Sequence, residues 1–164
     1  MLNKARHFAI TAHTDQKYGD HPYSVHLDAV VQHLTPYGET AQIIGYLHDV
    51  IEDTDISYDD IKHEFGIFIA DCVAILTDEN GSNRTERKEK TYAKMSNIHG
   101  DFELALTVKA ADRLANLQAC IQNNNQRLLG IYLKEHPTFT NSAYRQGNCE
   151  ELWKQIEKII NSIA

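Results

Sequence analysis

Residues 43–55 read IIGYLHDVIEDTD. The stretch begins as an apolar helix and then crowds His48, Asp49, Glu52, Asp53 and Asp55 into its last two turns. A helix C-terminus already carries partial negative charge, so carboxylates are disfavoured there. Like charges four residues apart add repulsion. Residues at that spacing also share a face, which puts His48 under Glu52 and Asp49 under Asp53. The helix therefore presents two tiers, a His-Asp pair and a Glu-Asp pair one turn on. A divalent cation at the first tier would become the largest local charge and offset the crowding. Two ligands do not complete a site, so others have to come from elsewhere in the chain.

Outward from this stretch the pattern stays helical. Periodicity predicts helices near 2–13, 23–35, 39–52, 57–65, 67–77, 84–98, 101–122, 125–135 and 149–162. Segment 136–148 gives a weaker pattern, with a short helix near 138–145. Ser57 and Asp60 stand at capping-box spacing, with Asp in place of Glu. Leu104, Val108, Ala111, Leu114, Leu117 and Ile121 step by three or four and predict a core stripe on the longest helix. No run alternates as a strand would, and residues 78–84, DENGSNR, read as a polar loop. The expected fold is a compact all-α bundle in one domain covering 1–164. A chain of this size buries roughly 70% of its extended surface without disulfide or metal staples.

Composition narrows the function. Net charge is −7, against the basic balance of a general nucleic-acid binder. A small phosphorylated ligand needs only a local positive pocket. Three cysteines with no C-x-x-C spacing predict reduced thiols and a cytoplasmic protein. The N-terminal MLNKARHFAITAH breaks its apolar run with polar residues, unlike an export signal or a membrane span.

Two further ligand candidates stand on other helices. Asp112, in TVKAADRLANL, sits beside the predicted core stripe. Taken alone it also fits a helical ion pair with Lys109 or Arg113. His26, in HPYSVHLDAVV, taken alone also fits an ordinary half-buried histidine. Together the order is His26, His48-Asp49, Asp112, which resembles the H…HD…D pattern of the HD-domain phosphohydrolases. The segments AHTDQKYGDHPYSVHL (12–27), LHDVIEDT (47–54) and VKAADRLANL (108–117) resemble, more narrowly, the hydrolase domain of the RelA/SpoT alarmone family.

That resemblance implies an HD-type metal-dependent hydrolase in which His26, His48, Asp49 and Asp112 hold Mn²⁺. It implies that Glu52 and Asp53 orient or deprotonate the attacking water. The implied reaction is hydrolysis of the 3′-pyrophosphate of guanosine 3′,5′-bis(diphosphate), giving GDP or GTP and pyrophosphate. The partner is then a small nucleotide, with neither nucleic acid nor membrane involved. For substrate contacts the resemblance points to Lys88, within a basic run that also holds Arg84, Arg87, Lys90 and Lys94, and to Asn116 and Tyr132. Where the family commonly has an arginine against the guanine, this chain has Asp15-Gln16-Lys17-Tyr18. Lys17 can hold a phosphate but offers no planar guanidinium, and Tyr18 can stack instead. Two alternatives follow: an HD hydrolase acting on another nucleotide, such as a nucleoside monophosphate or NADPH, and a nucleotide-sensing module without catalysis.

Overall fold

A computed structural model describes residues 1–163. Among the described residues ten α-helices dominate: α1 Leu2–Ala12, α2 Ser24–Leu34, α3 Gly38–Leu47, α4 Val50–Asp53, α5 Tyr58–Phe65, α6 Ile67–Leu76, α7 Arg84–Ser96, α8 Glu103–Gln122, α9 Gln126–Ala143 and α10 Glu150–Ile163. The all-α bundle expected from periodicity is the fold observed. Helix α8 is its axis, packed against α2, α3, α6, α9 and α10. Every residue of α8 from Ala105 to Ala115 is buried, so the helix is enclosed on all sides rather than along one stripe. The expected stripe holds from Val108 to Leu117, but Ile121 is exposed.

Side-chain caps fix several boundaries. Ser57 and Asp60 form the predicted box at the start of α5: the Asp60 N–H donates to Ser57 Oγ at 3.2 Å and the Ser57 N–H to Asp60 Oδ2 at 2.9 Å. Asn83 caps α7 and Asn125 caps α9 through their Oδ1 atoms.

Three elements differ from the sequence reading. The helix expected over 39–52 is broken at His48-Asp49, which join α3 to α4. A hairpin of two-residue strands, β1 Lys17–Tyr18 and β2 His21–Pro22, pairs Lys17 with Pro22 and Tyr18 with His21. Strands this short carry no alternation for a sequence pattern to show. Finally, α9 runs unbroken to Ala143 with Pro137 inside it. Proline removes one backbone donor and crowds the carbonyl of Leu133. Tyr132, His136, Phe139 and Ala143 nevertheless bury one continuous face, and that packing carries the helix through.

One close approach sets up the site. A Cβ on Gly45 would stand 2.5 Å from Leu34 Cδ1 and 3.2 Å from Val31 Cγ2. The missing side chain lets α3 lie tightly on α2, which brings His48 within reach of His26. Among the described residues no helix is long and apolar enough to cross a membrane.

Candidate metal centre and cleft

The side chains of His26 on α2, His48 and Asp49 at the α3–α4 junction, and Asp112 on α8 converge. His26 Nε2 lies 3.4 Å from His48 Nε2 and 3.4 Å from Asp112 Oδ1. Asp49 Oδ2 lies 2.9 Å from His48 Nε2 and 3.7 Å from His26 Nε2, and His48 Nε2 lies 3.7 Å from Asp112 Oδ1. Ligand atoms about 2.0–2.3 Å from a shared divalent ion stand roughly 3–3.7 Å from one another. The donor set therefore fits one such ion; His26, His48 and Asp49 alone already form a group able to hold a metal.

Each of these side chains is aimed by a neighbour. His48 Nδ1 donates to the Gly45 carbonyl at 2.7 Å, which leaves the lone pair of Nε2 for the cluster. Tyr23 Oη donates to Asp49 Oδ2. Asn116 Nδ2 donates to Asp112 Oδ1 at 2.6 Å, and Lys109 Nζ stands 3.2 Å from Asp112 Oδ2. The ring of Tyr18 stacks on His26, centroids 4.7 Å apart, and its hydroxyl donates to Asn116 Oδ1 at 2.7 Å.

The cluster favours positive charge. Burial pushes the His48 imidazole down, but Asp49 and Asp112 override it and lift it to about 10. Burial would raise the Asp49 carboxyl, yet His48 beside it holds it below the usual carboxylate range. Asp112 is also held low against its burial, by Lys109 and the two histidines.

A cleft of about 210 Å³ opens over the cluster. Glu52 and Asp53 of α4 line it beside Asp49. The Asp53 N–H donates to the Asp49 carbonyl at 2.9 Å, so these two keep the one-turn relation read from the sequence. Glu52 Oε2 accepts the Asp78 N–H at 3.1 Å, and burial together with the Asp78 charge raises its pKa. Four cationic side chains, Arg84, Lys88, Lys109 and Arg113, line the same cleft. Glu135 holds two of these, Arg84 through two bonds of 2.8 and 3.2 Å and Arg113 at 3.3 Å. The Arg113 guanidinium lies 4.6 Å from the centre of the Tyr132 ring. Lys88 is drawn to Asp78 at 2.7 Å.

Of the residues singled out for substrate, Tyr18, Lys88, Asn116 and Tyr132 line this cleft. Lys17 does not: it is exposed on the outer side of the hairpin, because successive strand residues face opposite ways. In the basic run, Lys90 pairs with Glu86 and Lys94 with Glu79, both away from the cleft. Sequence reasoning passed over Tyr23, and saw Lys109 and Arg113 only as partners for Asp112. The signal available was three charged residues within the otherwise small and apolar VKAADRLANL, on the most buried helix.

The comparisons agree with this geometry. A family profile described as HD domain matches residues 5–148. The mouse guanosine-3′,5′-bis(diphosphate) 3′-pyrophosphohydrolase MESH1 is 31% identical over 125 residues, covering 72% of this chain and 68% of the mouse protein. A probable guanosine-3′,5′-bis(diphosphate) 3′-pyrophosphohydrolase of Synechocystis is 30% identical over 161 residues, covering 94% of this chain but only 21% of that much longer protein. A solved structure of a metazoan ortholog of SpoT that hydrolyzes ppGpp superposes with a TM-score of 0.84 at 24% identity, over 98% of this chain and 94% of the other. The chain belongs to the HD-domain family and, within it, to the RelA/SpoT-type group that includes MESH1.

Proposed function

We propose that the protein is a metal-dependent hydrolase that removes the 3′-pyrophosphate of guanosine 3′,5′-bis(diphosphate) and its pentaphosphate form. The observation that carries this reading is the convergence of two imidazoles and two carboxylates from three separate parts of the fold, in a cleft that Glu52, Asp53 and four cationic side chains also line. A cation accounts for the first feature, and cationic side chains held in the same cleft by Glu135, Asp78 and Asp112 suit an anionic substrate. The names of the relatives supply the substrate.

His26, His48, Asp49 and Asp112 would hold the ion, and Mn²⁺ is the ion proposed for this mixed nitrogen and oxygen set. When bound it supplies Lewis-acid charge to the water and to the phosphoryl oxygens. The water oxygen bonds to the phosphorus carried by O3′ as the P–O3′ bond breaks. Pyrophosphate leaves with the incoming oxygen, and O3′ takes a proton to become the hydroxyl of GDP or GTP. Glu52 and Asp53 hold the water and accept its proton. Lys88, Lys109, Arg84 and Arg113 neutralise the phosphates, and Tyr18, Asn116 and Tyr132 face the nucleoside. Three free cysteines support action in the reducing cytoplasm.

One observation favours a second reading, another nucleotide at the same centre. The hairpin gives the cleft an aromatic ring and no cation, since Lys17 faces outward. The deciding experiment measures pyrophosphate release from guanosine 3′,5′-bis(diphosphate), with and without Mn²⁺, beside a panel of nucleoside monophosphates and NADPH. Metal-dependent pyrophosphate release from the bis(diphosphate) is expected. Phosphate release from another nucleotide alone would replace the first reading with the second.

A further inference from the structure

Gln16 lies between α1 and the hairpin, and almost every hydrogen-bonding group it has is committed. Its N–H donates to the His13 carbonyl at 2.7 Å, and its carbonyl accepts the Tyr23 N–H at 3.1 Å. Its Oε1 faces His13 Nδ1 at 2.7 Å, and its Nε2 donates to Asp53 Oδ2 at 3.0 Å. A carboxylate can only accept, so the amide must turn its NH₂ to Asp53 and its oxygen to His13. That oxygen in turn needs a donor, so the His13 proton sits on Nδ1. The other ring nitrogen, Nε2, is buried with no partner. The His13 ring cannot swing away, because it is buried and stacked on Tyr23 with centroids 4.4 Å apart. Tyr23 is itself bonded to Asp49.

We propose that His13 and Gln16 form a positioning bracket for Asp53: His13 fixes the orientation of the Gln16 amide, and the amide holds Asp53 Oδ2 so that Oδ1 is the oxygen presented to the reacting water. The inference rests on the reading of Asp53 as part of the water-handling tier. The bracket acts through Asp53 and touches neither ion nor substrate. A carboxylate free to rotate would present either oxygen, or neither, at the moment of proton transfer.

The test has two arms, both on the whole protein. The first compares His13→Ala, Gln16→Ala, the double variant and His13→Asn, in which an amide N–H replaces Nδ1–H. Each single alanine variant is expected to lower kcat by about 10- to 100-fold, the range for one hydrogen bond to a charged group. KM and Mn²⁺ affinity should stay within about twofold, and the double variant should lose no more than the worse single one, because both interrupt one line. His13→Asn should restore most of the loss. Additive losses, or losses that appear in Mn²⁺ affinity or Tm with kcat kept, would overturn the bracket in favour of a packing role. The second arm needs no turnover: ¹⁵N NMR should show His13 protonated on Nδ1, and the Gln16 side-chain NH₂ signals should move in Asp53→Ala. A proton on Nε2, or NH₂ signals unmoved, would overturn it. Wild-type protein that releases no pyrophosphate would sink the assigned reaction, while these signals still decide the bracket.

Discussion

His26 and His48 face each other Nε2 to Nε2 at 3.4 Å, across the contact between α2 and α3 that Gly45 makes close. Two imidazole nitrogens this near repel as lone pairs unless a proton or a cation lies between them. With Asp49 and Asp112 beside them, the arrangement stabilises a shared positive charge, and a divalent ion satisfies all four groups at once. An ion that binds only the folded chain must stabilise it. At a Mn²⁺ concentration about 100-fold above its Kd the gain is about 2.7 kcal/mol. For a domain of this size that is a rise in Tm of roughly 5–10 °C. Calorimetric scans with Mn²⁺ and with chelator measure it. His26→Ala should abolish the difference, and a rise that survives that substitution would place the ion elsewhere.

Binding and chemistry should separate at neighbouring positions. Asp49→Ala removes an oxygen that faces both histidines, so metal and activity should be lost together. Glu52→Gln keeps the acceptor for the Asp78 N–H but cannot take a proton. Turnover should fall by about 10²–10⁴-fold with metal occupancy kept. Near-normal turnover at equal occupancy would remove Glu52 from the proton path.

How much of this was legible in the sequence depends on what each residue answers to. The convergence of His26, His48, Asp49 and Asp112 was legible because residues suited to hold a metal are recognised by their chemistry, and their types and order survive in a single sequence. The bundle was legible because helical burial leaves a period. The break at His48-Asp49 was not: there the His48 ring bonds the Gly45 carbonyl one turn back, a choice of ring orientation that periodicity does not record. Nor was the passage of α9 through Pro137, where the packing of Phe139 and Ala143 outweighs a local rule. Lys109 and Arg113 were hidden for a different reason. A charge beside an opposite charge on a helix has an ordinary explanation, and only the three-dimensional arrangement shows that these two line the cleft.

The pH dependence of the reaction should answer to Asp78. Burial raises the Glu52 pKa, and the nearby Asp78 charge raises it further, while Lys109 opposes. A base must be ionised to work, so activity is lost as pH falls through this raised value. Asp78→Asn removes the negative charge and leaves the backbone N–H that Glu52 accepts. It also frees Lys88 from its ion pair, which again favours ionised Glu52. Both effects lower the Glu52 pKa, so the acid limb of the kcat profile should move to lower pH. A limb that stays in place, or moves up, would assign it to another group.

The hairpin should divide substrate recognition unequally between its two adjacent residues. Lys17 is exposed on the outer side, whereas Tyr18 lines the cleft, stacked on His26 and bonded to Asn116. Asn116 also donates to Asp112, so the Tyr18 hydroxyl sets the Asn116 amide that in turn steadies the carboxylate. Removing the ring therefore removes a stacking surface and loosens this line. Base stacking on an aromatic side chain is worth roughly 1–3 kcal/mol, so Tyr18→Ala should raise KM for guanosine 3′,5′-bis(diphosphate) by about 5- to 150-fold. Tyr18→Phe keeps the ring and loses only the hydroxyl, so it should keep most of the affinity while the Asn116 amide is freed to turn. Lys17→Ala and Lys17→Arg should each leave KM within about twofold. The measurement is KM for the guanosine and adenosine bis(diphosphates) across wild type and these four variants. If Lys17→Ala raised KM as Tyr18→Ala is expected to, the lysine would have to swing over the hairpin to meet a phosphate, and the division between the two strand faces would fail.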